Sequence, residues 1–175
     1  MNFFNFFNVF FNLLGDNFFM QIKLLVIGKL KEKSYRQISD ELSKRIRPYC
    51  SFSIVEISAE NLKEVSNDEI AQKKEAEKII SQIDDDAFII TLEIEGKMLD
   101  SVAFSQKIQE ISNTGINKII FIIGGATGLH PDIKKKSDFA ISFSKMTFTH
   151  QFVRLILQEQ LYRSFKILNN EPYHK

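Results

Sequence analysis

The residues best suited to chemistry are concentrated in the last third of the chain. An apolar run, residues 119–123, leads directly into the glycine turn Gly124-Gly125-Ala126-Thr127-Gly128-Leu129. Two glycines after a strand let a ligand approach the backbone closely, because no Cβ intervenes. The turn contains no Lys or Arg and matches neither the P-loop nor the dinucleotide fingerprint. It is therefore compatible with a ligand that presents an uncharged adenosine face, and a plain tight turn is the alternative.

A polar loop, Phe143-Ser144-Lys145-Met146-Thr147-Phe148-Thr149-His150, follows a second apolar segment. Its backbone donors and acceptors are able to read an adenine edge without charged side chains. Thr149 is also placed to cap a helix that starts near Gln151, and the two roles are compatible. His150 is a candidate proton acceptor or RNA contact. A histidine held by ordinary polar contacts is the alternative.

The predicted final helix and the chain terminus add further candidates. Arg154 lies near the helix N-terminus, where the macrodipole disfavours a cation, so its placement hints at function. A solvated arginine is the alternative. The terminal residues Tyr173, His174 and Lys175 offer stacking, hydrogen bonding and charge, which suit RNA, although a frayed terminus would look the same.

The elements that must position these residues alternate between strand and helix. Continuous apolar runs predict strands at 22–27, 52–57, 87–92, 118–123 and 138–143. Helical spacing predicts helices at 34–47, 68–83, 101–111, 131–136 and 151–168. Ser34 and Asn67 are predicted helix caps, and Glu95-Gly96-Lys97 is a predicted turn. This order predicts an α/β fold with a mostly parallel sheet that helices cover on both faces.

Composition sets broad bounds on function. The chain has 175 residues, is 44% hydrophobic and 26% charged, and carries a net charge of only +1. Any nucleic-acid contact must therefore come from local patches and not from a strong overall field. Cys50 is the single cysteine, which excludes an intrachain disulfide and favours a structural thiol in a reducing cytoplasm.

Residues 1–19 differ from the rest of the chain. They are rich in Phe and Asn, and Asp16 is their one charge. The stretch lacks the cationic start and small-residue cleavage site of a secretory signal, and its Asn residues make it short and polar for a membrane span. We interpret it as an extension that contributes nothing to the fold. A hydrophobic anchor or partner-binding segment is the alternative.

Several separated motifs together resemble a known family. The chain is similar to the large-subunit ribosomal RNA methyltransferase H family of the SPOUT superfamily from Met20 to its end. The motifs that carry the resemblance are residues 28–30, 91–93, 123–129, 142–150, Glu159-Gln160-Leu161-Tyr162-Arg163 and Pro172-Tyr173-His174-Lys175. Residues 20–175 are then one SPOUT methyltransferase domain.

This resemblance implies an enzyme that uses S-adenosylmethionine to methylate N3 of a pseudouridine in 23S rRNA within the assembled 70S ribosome. It also implies a cytoplasmic homodimer, a C-terminal trefoil knot, and neither a metal nor a membrane. The implied cofactor-binding residues are Leu92, Gly124, Phe143, Ser144, Lys145, Met146, Thr147 and Phe148. The implied catalytic residues are Arg154 and His150, and Tyr173, His174 and Lys175 are implied to bind the substrate.

Three other functions fit the same residues. One is a related methyltransferase with another RNA target. A second is a ribosome-associated binding module whose pocket is vestigial. A third is a membrane-tethered protein that uses the Phe-rich start.

Overall fold

A computed structural model describes residues 20–60 and 68–173. The predicted extension at 1–19, the predicted cap Asn67, and the terminal residues His174 and Lys175 lie outside these ranges.

Five strands form one parallel sheet in the order β2-β1-β4-β3-β5. The strands are β1 (Gln21–Ile27), β2 (Ser51–Ile57), β3 (Phe88–Met98), β4 (Lys118–Ile123) and β5 (Phe139–Ser142). Because helices cover both faces of the sheet, the central strands β1 and β4 are buried on both faces and are almost continuously apolar. The predicted parallel sheet is confirmed.

Helices cover both faces of this sheet, as predicted. The helices are α1 (Lys33–Ile46), α2 (Asp68–Ile80), α3 (Ser101–Asn113), α4 (Pro131–Lys136) and α5 (His150–Leu168). Helices α1, α3 and α5 pack on one face around Phe121, which is fully buried. Helices α2 and α4 pack on the other face, around Ile122. The predicted trefoil knot stays a prediction.

The predicted turn at Glu95-Gly96-Lys97 is wrong, because β3 continues through it to Met98. After an irregularity that follows Leu92, β3 pairs with β5 a second time. A Cβ at Gly96 would lie 2.5 Å from the carbonyl carbon of Ile141. Glycine at 96 therefore marks a close approach of two strands, although sequence alone gives it the look of a turn residue.

The predicted helix caps have different outcomes. Thr149 caps α5, since its Oγ1 accepts a hydrogen bond of 3.3 Å from the backbone N–H of Phe152. Ser34 is not a cap, because α1 already begins at Lys33, after Glu32. Pro131 occupies the first turn of α4, where a missing N–H costs nothing.

Within the ranges 20–60 and 68–173, no helix is both long and apolar enough to cross a bilayer. The same residues contain no group of three or more His, Cys, Asp or Glu side chains placed to hold a metal ion.

Candidate functional site

A cleft of about 810 Å³ opens beside the carboxyl ends of β3, β4 and β5. Parallel α/β sheets place their ligand sites at this edge, where the loops after several strands meet. The predicted cofactor residues that line it are Leu92, Gly124, Phe143, Ser144, Met146, Thr147 and Phe148. Lys145 is exposed in the same loop but does not line the cleft.

The glycine turn forms one wall through close backbone packing. A Cβ at Gly124 would lie 2.8 Å from both the carbonyl carbon and the carbonyl oxygen of Gly128. The N–H of Gly128 donates to the Gly125 carbonyl oxygen across 3.2 Å, which closes the turn. Only glycine at 124 allows the turn to fold back this closely, so the shape of this cleft wall depends on that residue.

Helix α2 supports the turn from the opposite side. Gln72 lines the cleft, and its Nε2 donates to the carbonyl oxygen of Thr127. Glu75 is buried next to Gly125 and accepts a 3.0 Å hydrogen bond from the backbone N–H of Glu60. Burial raises the pKa of the Glu75 carboxyl. Sequence analysis missed both residues, because each looks like an ordinary member of an amphipathic helix.

The polar loop is shaped by its own serines. The Ser142 hydroxyl donates to the Ser144 carbonyl oxygen across 3.0 Å. The Ser144 hydroxyl in turn accepts from the backbone N–H of Met146 at 2.9 Å. These bonds fix the backbone polar groups that the sequence suggested as readers of a ligand edge, and they leave Met146 71% exposed.

An acidic wall completes the cleft and was also missed. Glu93 and Glu95 both line it. One Glu93 oxygen accepts from the Thr91 hydroxyl at 2.7 Å, and the other lies 3.0 Å from Nζ of Lys134. The sequence predicts a turn at Glu95, so it gives no signal that this residue lies in β3 and lines the cleft. Lys134 also lines the cleft and compensates Glu93, so the three side chains leave one net negative charge on this wall, which suits a cationic ligand.

His150 is the first residue of α5 and lines the cleft. Its Nε2 packs close to Gly28 and would lie 3.3 Å from a Cβ at that position. Burial, with a smaller contribution from Lys31, lowers the pKa of His150 below its usual 6.5. The imidazole is therefore neutral near pH 7 and able to accept a proton.

Arg154 does not line this cleft. It is only 7% exposed, and its Nη1 lies 2.6 Å from Oε1 of Glu56 at the end of β2. It lines instead a second groove, of about 360 Å³, between α1 and β2. The structure therefore separates Arg154 from His150, although the two residues are one helical turn apart in sequence.

Tyr173 lies against the far part of α5. Its hydroxyl donates to Oε1 of Glu159 at 3.2 Å, and its ring lies 4.7 Å from the Arg163 guanidinium carbon. With a rise of 1.5 Å per residue, Glu159 is roughly 13 Å along the helix from His150. The structure therefore does not bring Tyr173 to the cleft of its own chain.

A parallel α/β sheet with a glycine turn, a polar loop and an acidic wall around a cleft at its carboxyl edge is the arrangement in which α/β proteins commonly bind small ligands. The sequence profile of a family described as SPOUT methyltransferase matches residues 20–174. The chain therefore belongs to the SPOUT methyltransferase family, and it is a methyltransferase.

Individual relatives agree with this assignment. The ribosomal RNA large subunit methyltransferase H of Finegoldia magna is 48% identical over 160 residues, which cover 89% of this chain and all of the relative. A solved methylase family protein from Haemophilus influenzae has a TM-score of 0.51 at 13% identity, over 89% of this chain and 71% of its own. A second, from Neisseria gonorrhoeae, has a TM-score of 0.50 at 9% identity, over 84% of each chain. At such low identity these two structures support the fold alone.

Proposed function

We propose that this protein transfers a methyl group from S-adenosylmethionine to N3 of a pseudouridine in 23S rRNA, and that it acts on the assembled 70S ribosome as a homodimer. The observation that carries the proposal is the 48% identity to a protein named ribosomal RNA large subunit methyltransferase H, over that protein's whole length. The cleft at the carboxyl edge of the sheet supports it, because it offers a place for the methyl donor.

The cleft fits such a donor. When bound, S-adenosylmethionine supplies a methyl group on a sulfonium cation. Leu92 and Phe143 offer apolar contacts, and the bare backbone at Gly124 allows close approach. The carboxylates of Glu93 and Glu95 complement a positive charge. The donor site is thus proposed to comprise the backbone of the glycine turn and of the loop at 143–148, including Lys145.

His150 is the proposed proton acceptor. The imide nitrogen of the target base must lose its proton to act as a nucleophile, and a neutral imidazole beside the cleft is able to take it. General-base assistance of this kind typically contributes about 10²–10⁴-fold. Holding the reactants in line contributes more, about 7–11 kcal/mol in favourable cases. We propose that the hydrogen-bonded walls of the cleft supply that positioning.

The remaining predicted residues are assigned to the RNA side. Tyr173 is distant from the cleft of its own chain, so the C-terminal segment that carries it would contact the target nucleotide only at the cleft of a second copy. Three apolar side chains are partly exposed: Phe148 (37%), Phe152 (42%) and Ile38 (47%). The ring centroids of Phe148 and Phe152 are 5.9 Å apart. Such an apolar surface suits a subunit contact, which supports a homodimer with a composite site.

The test is methyl transfer with labelled S-adenosylmethionine on 70S ribosomes and, separately, on naked 23S rRNA from a strain that lacks the gene. We expect one methyl group at N3 of a pseudouridine, located by mass mapping, on ribosomes only. Transfer to another nucleotide, or only to naked RNA, would contradict the proposed substrate. Calorimetry with the donor alone separates an enzyme from a vestigial binding module, which would give no heat.

Arg154 provides an internal check on these assignments. Because Arg154 does not line the cleft, Arg154→Ala should keep the donor affinity of the parent protein and lose turnover. Calorimetry measures the first and ribosome methylation the second. An equal loss of donor binding would contradict an RNA-side role.

A further inference from the structure

The second groove, defined by Ser39, Asp40, Ser43, Lys44, Arg47, Phe52, Ile54 and Arg154, is a separate feature of about 360 Å³. We call it the basic groove. Helix α1 forms one side and the edge strand β2 the other. None of the described residues that line it also lines the cleft. Three cations and one carboxylate line it, so its own side chains favour an anion.

Arg154 brings a buried positive charge to this groove. Glu56 engages Nη1, whereas the buried Nε has no acceptor among the described residues. A guanidinium stays charged at any relevant pH and carries five N–H donors in a planar fork. Such a fork matches the oxygens of a phosphate better than a point charge does. The unpartnered Nε is itself shielded from solvent, so Arg154 contributes to the groove chiefly through its positive charge.

Lys44 and Arg47 are exposed near the C-terminal end of α1. Their neighbour Arg45 is held by Glu41 at 2.9 Å, but within residues 20–60 and 68–173 neither Lys44 nor Arg47 forms an ion pair. Positions 40, 44 and 47 lie on one side of a helix, so both cations face the same groove as Asp40. These two side chains are available to an external anion.

The position of the groove identifies the anion. His150 and Val153 line the cleft, and Arg154, the next residue along α5, lines the groove. The cleft and the groove thus lie on either side of the same stretch of α5, and an RNA strand with one nucleotide at the cleft is able to extend a neighbouring phosphate towards the groove. Phosphate contacts fix the position of a nucleic acid without reading its sequence. We propose that the basic groove binds a backbone phosphate of the RNA substrate, an inference that rests on the proposed function.

The test compares exposed variants that do not disturb the core. Lys44→Ala/Arg47→Ala removes the two free cations, and Asp40→Asn removes the opposing carboxylate. Lys73→Ala/Lys74→Ala is the matched control, because these exposed lysines lie on α2 at the opposite face of the sheet. Binding to 70S ribosomes is measured over a series of salt concentrations, and thermal unfolding verifies that every variant folds.

The two groove variants should change binding to ribosomes in opposite directions. Loss of one neutralised phosphate reduces the steepness of the plot of log affinity against log salt by roughly 0.7. Asp40→Asn should bind more tightly than the parent protein, which a purely structural role would not produce. The control and the affinity for S-adenosylmethionine should not change.

Unchanged salt slopes in the Lys44→Ala/Arg47→Ala variant would overturn the inference. A second arm titrates the protein with inorganic phosphate alone. Binding of inorganic phosphate with an unchanged ribosome slope would identify a small-anion site and also overturn the RNA assignment. Because these slopes come from binding, they remain decisive even if the methylation assay fails, and that failure would count against the proposed function alone.

Discussion

Removing Glu56 and removing Arg154 from their ion pair should change the free energy of unfolding by unequal amounts. Arg154 is 7% exposed, whereas the Glu56 side chain is 30% exposed. Glu56→Ala leaves a guanidinium that is buried and has no counter-charge. We expect a loss of about 3 kcal/mol in the free energy of unfolding, at the low end of values for breaking a buried pair, because water reaches Glu56 in part.

The reciprocal change should cost much less. Arg154→Met leaves a carboxylate that water is able to solvate, and the methionine keeps most of the apolar contacts of the arginine stem. The expected cost is about 1 kcal/mol, the value of one ordinary hydrogen bond. The double variant should resemble Arg154→Met alone, because the buried charge is then absent. The implied coupling is roughly 3 kcal/mol, at the top of the range for residues in contact.

Urea unfolding of the parent protein and the three variants measures these values at one protein concentration, because self-association, as in the proposed homodimer, makes stability depend on concentration. In a thermal scan the Glu56→Ala loss corresponds to a fall of about 6–12 °C in Tm for a chain of this length. Additive costs, or a larger cost for Arg154→Met than for Glu56→Ala, would refute the reasoning.

Three further predictions concern the cleft and the core. Gly124→Ala should abolish donor binding, because its Cβ would meet the Gly128 backbone at 2.8 Å. Gly115→Ala, which is strained by a φ of +86° but does not line the cleft, controls for a general loss of stability, and calorimetry that finds equal affinities in the two variants would sink the idea. Turnover should rise with pH through a pKa below 6.5 and then level off, since only neutral His150 accepts a proton, and His150→Asn should lose that rise. Cys50 should resist iodoacetamide in the folded protein at pH 8 and react after unfolding, because burial raises the pKa of its thiol to about 12; rapid native alkylation, detected by mass spectrometry, would contradict this.

The lowered pKa of His150 also makes the stability of the fold depend on pH in a definite direction. Its pKa is lower in the folded protein than in the unfolded chain, so the unfolded chain binds the proton more readily. The contribution of this group to stability is therefore complete above pH 6.5 and falls as the pH drops through the folded pKa.

The fold was largely readable from the sequence, for a physical reason. Strands buried on both faces, such as residues 118–123, must be apolar throughout, and the helices that cover them must be apolar on one side. The local sequence is ambiguous at Gly96, because glycine occurs both in turns and where two strands approach closely. Only the position of Ile141, 45 residues later in sequence, distinguishes the two.

The candidate site was readable only in part. The glycine turn and the loop at 143–148 are contiguous motifs, so a linear reading found them. Gln72 and Glu93 enter the cleft through the packing of α2 and the extension of β3, which no local pattern encodes. The sequence singles out Arg154 because a cation is unusual near a helix N-terminus. The direction of its side chain, however, depends on Glu56, 98 residues earlier.

The strand order β2-β1-β4-β3-β5 places the two strands from the first half of the chain on one side of the sheet and the three from the second half on the other. Strand β1 pairs with β2 on one edge and with β4 on the other, so an early segment is held between early and late partners. The pairing of β1 with β4 is what joins the two blocks, and long-range pairings of this kind assemble slowly. On a translating ribosome, the polypeptide must therefore wait until β4 has emerged before the first strand gains its second neighbour.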